Sequence, residues 1–246
     1  MQELAGKRAL VTGASRGIGA AIALALADRG ADVAITYERS ADRAAEVVRA
    51  IEERGRIGLA IQADSAAAAA VKRSVNEAVE RLGGLDILVN NAGIARYGAV
   101  AEMDLIDIDA LLNVNVRSVV LASQAAIPHL GQGGRIISIG SCLAERVPFP
   151  GVTVYSMTKS ALLAFTRGLA RELGPRDITA NLVQPGGTDT DMNPADGAQS
   201  DDIRGLTPLG RYGTPEDVAA AVAFLVSPAA RQITGSVVTV DGGLNA

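Results

Sequence analysis

Arg8-Ala9-Leu10-Val11-Thr12-Gly13-Ala14-Ser15-Arg16-Gly17-Ile18-Gly19 runs from a short apolar segment into a glycine-rich turn, and a helical pattern with Ile22, Leu24 and Leu26 follows until Gly30. Strand, glycine turn and helix, in that order, are the context in which such a turn serves as a nucleotide site. Gly13, Gly17 and Gly19 let the turn bend tightly and let a pyrophosphate approach the backbone. Ser15, Arg16 and Ile18 lie among them, and the helix N-terminus adds free amides and a partial positive charge. The competing reading is a plain tight turn with no ligand, and the strand and helix on either side weigh against it.

Working outward, residues 32–37 read as a second strand ending in Tyr37, with Glu38, Arg39 and Ser40 after it. In dinucleotide folds an acid at this strand end binds the ribose 2′-hydroxyl, whereas an arginine nearby favours a 2′-phosphate. Tyr37 holds the strand end, and Arg39 and Arg16 are two cations within reach, so NADP(H) is expected rather than NAD(H). Glu38 is the one residue arguing the other way.

The pattern repeats along the chain. A helix at 41–54 precedes a third strand at 57–62, which ends at Ala63-Asp64-Ser65. Asp64 or Ser65 is expected to cap the next helix, which covers 66–82 and stops at Gly83-Gly84. A fourth strand at 85–89 leads into Asn90-Asn91-Ala92-Gly93, a small polar stretch suited to a ligand lying over a strand end. Helical patterns cover 104–130, with Asn113 and Asn115 in the middle, where asparagine is unfavourable; a local distortion or a polar task is expected there. A fifth strand at 134–140 delivers Ser141, a sixth at 178–184 leads into Pro185-Gly186-Gly187-Thr188-Asp189-Thr190, and 193–205 reads as a mobile lid. A helix at 215–226 and a strand at 237–240 complete the pattern. Strands alternating with helices, with no linker and no repeat, predict a single α/β domain over 1–246: a doubly wound, Rossmann-type parallel sheet of about seven strands with helices on both faces. Ligands bind such sheets at the carboxyl edge, where these polar stretches gather.

Ser141 through Lys159 carries the chemistry. Tyr155 and Lys159 are four apart and share a helix face. An ammonium ~4 Å from a phenol at an effective dielectric of ~20 is worth roughly 4 kcal/mol, so the phenol is expected to fall from ~10 toward neutrality and act as an acid–base group. Ser141 is placed to donate a hydrogen bond to the same substrate oxygen. Further along this helix Ala161, Leu162, Leu163, Ala164 and Phe165 point nearly all round the axis, so a second subunit is expected on its outer side.

Composition removes other classes. A net charge of −4 over 246 residues argues against nucleic acid or an anionic membrane as partner. The start of the chain lacks a secretory pattern, and the apolar runs are too short to span a bilayer. A single cysteine, Cys142, and a single histidine, His129, make a soft-ligand metal site unexpected and fit a reducing cytoplasm.

Thr12-Gly13-x-x-x-Gly17-x-Gly19, Asn90-Asn91-Ala92-Gly93, Asn115, Ser141, Tyr155-x-x-x-Lys159 and Pro185-Gly186 stand in the order and near the spacing of the short-chain dehydrogenase/reductase family, which the chain resembles over roughly residues 6–243. The resemblance implies a reversible NADP(H)-dependent carbonyl reduction with Tyr155 as general acid, Ser141 orienting the substrate oxygen, Lys159 tuning the phenol and binding the nicotinamide ribose, and Asn115 holding a water in the proton relay. It further implies that Asp64 and Ser65 meet the adenine, that Asn90, Asn91, Ala92 and Gly93 line the cofactor, and that Thr188 and Thr190 follow Pro185-Gly186 beside the carboxamide. Many relatives resemble 3-oxoacyl-carrier-protein reductases, yet the approach Pro128-His129-Leu130-Gly131-Gln132-Gly133-Gly134 lacks a basic cluster for an acidic carrier protein, so a small ketone or aldehyde is an equal candidate. Phe149, Val152 and Met192 are candidate pocket walls, and Gly187, where relatives commonly carry a bulky apolar residue, is expected to widen the pocket or loosen its loop. A homo-oligomer, tetramer or dimer, is implied. The alternatives are an NAD-dependent alcohol dehydrogenase of the same family and a nucleotide-binding sensor without turnover.

Overall fold

Strands β1 (Arg8–Val11), β2 (Asp32–Tyr37), β3 (Gly58–Gln62), β4 (Leu85–Asn90), β5 (Leu130–Ile139), β6 (Thr179–Pro185) and β7 (Val237–Val240) form one parallel sheet in the order 3-2-1-4-5-6-7 in the computed structural model, which describes residues 2–246. Between them run α1 (Gly17–Asp28), α2 (Ala41–Glu52), α3 (Ala68–Leu82), α4 (Leu105–Leu112), α5 (Ser118–Ala126), α6 (Thr153–Leu173), α7 (Ser200–Leu206) and α8 (Pro215–Val226). The strands read as continuous apolar runs because both faces are covered. Successive residues feed opposite cores: Ala9, Val11, Val33, Ile35, Ile87 and Val89 pack with α1, α2 and α8, whereas Leu10, Ala34 and Leu88 pack with α3, α5 and α6.

The order of strands reverses between β1 and β4, which are neighbours although three helices separate them in sequence. Loops leaving those two strands diverge to opposite faces, and the crevice between them is the usual ligand position. The expected distortion is present: Asn113–Arg117 form one π-turn between α4 and α5, with Ser118 N donating to Asn113 O. Such turns are frequent at functional sites.

Local expectations fail in two places. Neither Asp64 nor Ser65 caps α3, whose preceding residue is Ala67; Asp64 instead accepts from Ala66 N at 2.8 Å and closes its own turn. Strand β5 begins at Leu130 rather than 134, because Leu130 pairs with Leu85 across an irregularity in the β4 register. The segment read as a lid contains the short helix α7, with Ser200 buried at its start. No helix among the described residues is long and apolar enough to cross a membrane.

Candidate active site

The glycine turn is locked to the end of β4 by a small lattice of hydrogen bonds. Thr36 Oγ1 accepts from Gly13 N at 2.9 Å, and Thr12 Oγ1 accepts from the amides of Asn91 and Ala92, each at 3.0 Å. Asn91 Nδ2 donates back to the carbonyls of Thr12 at 2.9 Å and Gly13 at 3.0 Å. Gly13 has φ +63°, and a Cβ there would lie 2.8 Å from Ala92 Cα; one on Gly19 would collide with the Asn91 amide. Two of the three glycines are therefore required by protein packing alone. What this packing leaves open is the N-terminus of α1, where Arg16 makes no side-chain cap.

That N-terminus faces a cleft of about 580 Å³ along the carboxyl edge of the sheet. Gly13, Ser15, Arg16, Gly17, Ile18, Gly19, Tyr37, Arg39, Ser40, Asp64, Ser65, Asn91, Ala92, Gly93, Ser141, Tyr155, Lys159, Pro185, Gly186, Thr188 and Thr190 all line it. Two residues expected at the cofactor or the reaction stand behind the wall: Asn90, buried with Nδ2 donating to Ser123 Oγ at 3.1 Å, and Asn115. Asn115 is fully buried: Oδ1 accepts from Ile94 N at 2.9 Å, while Nδ2 donates to Ile94 O at 2.9 Å and to Thr158 Oγ1 at 3.1 Å. Thr158 in turn donates to Tyr155 O at 2.7 Å, so Asn115 ties the loop after β4 to the helix that carries the tyrosine.

Ser141, at the end of β5, lies beside Tyr155 on α6; its Oγ accepts from Leu143 N at 3.2 Å. Lys159 is buried, with Nζ donating to Ile139 O at 3.1 Å and standing 5.9 Å from the Tyr155 ring centroid. A Cβ on Gly93 would sit 3.3 Å from that Nζ and 3.5 Å from Asn115 Oδ1, so only glycine keeps open the space in front of the ammonium. A site of this shape fits a dinucleotide. The helix N-terminus receives a pyrophosphate, and a buried ammonium with one protein acceptor has donors left for ribose hydroxyls.

The electrostatics correct one expectation. Loss of water around Tyr155 pushes its phenol above the ordinary value, and the Ser141 hydroxyl offsets this only in part; Lys159 does not bring it toward neutrality. Burial acts on Lys159 as well and pushes its ammonium down to about 8. Both groups lose solvation, and for the phenol that loss is the largest effect. Tyr155 is thus a protonated acid at neutral pH. Burial likewise pushes the neighbouring Cys142 thiol up to about 11, so it is an inert packing group.

Gly187 corrects a second. A Cβ there would lie 2.6 Å from Ile203 Cγ2, so the missing side chain does not widen the pocket: α7 fills the space. The loop after β6 is further held by Tyr212, whose hydroxyl donates to Asn193 Oδ1 at 3.2 Å. Phe149, Val152 and Met192 line the cleft as expected, together with Ile203, Leu244 and Tyr97. Tyr97 was not legible in the sequence; its ring meets Tyr155 edge-on, with centroids 6.2 Å apart.

A family model described as enoyl-(acyl carrier protein) reductase matches residues 13–245. The chain is a short-chain dehydrogenase/reductase. Among solved members of this family, a short-chain dehydrogenase from Burkholderia cenocepacia in complex with NADP is 61% identical, with a TM-score of 0.98 over 99% of this chain and 100% of the other. The cyclic-di-GMP-binding biofilm dispersal mediator protein of Escherichia coli is 44% identical over 246 residues, covering 100% of both chains. Versicolorin reductase of Emericella nidulans is 42% identical over 253 residues, covering 98% of this chain and 96% of its own.

Proposed function

We propose that this short-chain dehydrogenase/reductase uses NADP(H) to reduce a ketone or aldehyde reversibly, with Tyr155 as the proton donor. The convergence of Ser141, Tyr155 and Lys159 at one end of a dinucleotide-sized cleft carries the reading. The NADP complex of the Burkholderia relative supports the cofactor, and the name of the Emericella relative supports reduction.

Bound NADPH would supply the hydride. The α1 N-terminus and the glycine turn would hold its pyrophosphate, Asn91 to Gly93 and Thr188 to Thr190 would line the nicotinamide half, and Asp64 with Ser65 the adenine. Ser141 would orient the substrate carbonyl oxygen, and Tyr155 would deliver its proton there as negative charge develops. General acid help of this kind contributes ~10²–10⁴-fold. The buried Lys159 ammonium would hold the ribose and offset the negative charge that the phenol gains on giving up its proton. The apolar wall of Tyr97, Phe149, Val152, Met192, Ile203 and Leu244 suits a hydrophobic ketone better than a charged one.

The test follows NADPH absorbance with a panel of ketones, diketones, aldehydes and acetoacetyl thioesters, repeated with NADH. Oxidation of NADPH by some panel member is expected, and faster than that of NADH. Equal or faster rates with NADH would favour the NAD-dependent reading. The name of the Escherichia coli relative favours a nucleotide-binding sensor as the second reading; tight cofactor binding with no turnover anywhere in the panel would establish it here. Self-association belongs to the same proposal: Met157, Ala161, Ala164 and Gly168 leave the outer face of α6 exposed beside Leu105 and Ile106 of α4. Sedimentation is expected to give a tetramer or dimer, and a monomer at micromolar concentration would remove that part.

A further inference from the structure

Ser141 opens a 3₁₀ turn, Cys142–Ala144, between β5 and the approach to α6. So short a turn has poor hydrogen-bond geometry of its own, and its orientation depends on what holds it from outside. Ser160 of α6 donates to Ala144 O. Asn245, in the segment after β7, donates from Nδ2 to Cys142 O at 2.7 Å, across 103 positions of sequence. That segment is itself a tight turn: Asp241 accepts from Gly243 N at 2.8 Å and from Asn245 N at 3.0 Å, which fixes the backbone carrying the Asn245 amide. The turn is pressed into the site from several sides. A Cβ on Gly186 would lie 2.6 Å from Asp241 Cα, Leu209 N donates to Gly242 O at 3.1 Å, and Arg146 donates to Leu244 O. Between these contacts Leu244 is buried and lines the cleft.

The carbonyl that Asn245 holds and the amide that Ser141 meets belong to one peptide unit. Cys142 O accepts from Asn245, and the Leu143 N–H across the same C–N bond donates to Ser141 Oγ at 3.2 Å. A peptide unit is planar and rigid, so a bond that fixes its oxygen fixes the direction of its N–H as well. Bonds at the two ends of one amide also polarise each other in the same sense. We propose that Asn245 is a positioning residue for Ser141, acting through the Cys142–Leu143 peptide. With Oγ accepting from Leu143 N, the serine proton is left for the substrate oxygen. Without the Asn245 donor the peptide unit can swing, and the hydroxyl loses its fixed direction. Asn245 Oδ1 is buried with no partner among the described residues, so this side chain is placed for what its Nδ2 donates. The role rests on the reading of Ser141 as the residue that orients the carbonyl.

The test is a double-mutant cycle on the NADPH-dependent reduction of a ketone that the parent turns over. Asn245→Leu keeps the size of the side chain without the donor, and is expected to lower kcat by roughly ten-fold with KM for the ketone within about two-fold. Ser141→Ala is expected to lower kcat by ~10²–10³-fold. Once the serine hydroxyl is gone there is nothing left to orient, so adding Asn245→Leu to Ser141→Ala is expected to cost less than about two-fold more. Asn245→Ser, too short to reach Cys142 O, is expected to repeat the pattern and guards against a misfit of leucine. Calorimetric titration with NADP⁺ counts the folded sites in each protein, so a loss of fold is not read as a loss of rate. Equal losses from Asn245→Leu with and without the serine hydroxyl would overturn the proposal, because the asparagine would then be holding up something else. A parent-like kcat for Asn245→Leu would overturn it too. Ser141→Ala with parent-like turnover, or a parent that reduces no ketone, would remove the reading of Ser141 and this inference with it. A large loss from Ser141→Ala with no coupling to Asn245 would sink this inference alone.

Discussion

Tyr155→Phe is expected to lose carbonyl reduction by ~10²–10⁴-fold while binding NADP⁺ within about two-fold of the parent. The ring stays: its edge-on contact with Tyr97 and its place on α6 do not involve the hydroxyl. Only the hydroxyl is removed, with its proton and its hydrogen bond to Ser141. Because burial raises the phenol above its ordinary value, Tyr155 is fully protonated near neutrality and is suited to donate, not to accept. Reduction is therefore expected to prevail at neutral pH, with alcohol oxidation by the parent growing as pH rises. Single-turnover reduction by Tyr155→Phe at a rate close to the parent's would take Tyr155 out of the mechanism.

Lys159→Met should produce the opposite pairing, an enzyme that is more stable and far less active. The displacement of Lys159 from 10.5 to about 8 corresponds to about 3 kcal/mol set against folding at neutral pH. Methionine keeps an unbranched stem in the same space. Loss of the donor to Ile139 O returns about 1 kcal/mol of that gain. The net stabilisation is on the order of 2 kcal/mol, a rise in Tm of roughly 4–8 °C for a domain of this size. The sign with pH follows from the direction of the displacement. Below about 8 both folded and unfolded parent carry the charge, and the penalty is fully present. Between about 8 and 10.5 the folded parent sheds a proton that the unfolded chain keeps, so parent stability rises and the advantage of the variant shrinks. Tyr155 is common to both proteins and cancels in the difference. Denaturation of the two at pH 7 and pH 10 measures this directly; a variant less stable than the parent at pH 7 would mean that the ammonium is solvated in the folded protein.

The two corrections within the site share a cause. A tyrosine and a lysine four apart on a helix suggested an attraction, and local spacing does place them on one face of α6. Whether attraction or desolvation dominates depends on what covers them: the end of β5, the loop at Gly93 and Tyr97, each far away in sequence. Gly187 appeared as an absence of bulk, and the bulk proved to be supplied by Ile203 from a neighbouring helix.

What the chain order determined by itself is the sheet and the composition of its carboxyl edge. Apolar runs of four to seven residues, glycines at the first turn and an asparagine pair in mid-helix are local signals, and each lies within the element it announced: β1 to β7 (β5 starting earlier than its run), the open N-terminus of α1 and the π-turn at Asn113–Arg117. Because every strand is parallel, the polar residues after each one gather at the same edge, so most residues lining the cleft could be named without knowing a single distance. Tertiary structure alone decided the charges. Desolvation of Tyr155 and Lys159, and the choice of Asp191 rather than solvent as partner for Arg16 and Arg43, depend on segments up to 175 residues apart. No window of sequence contains the water that packing removes or the carboxylate that a distant loop brings in.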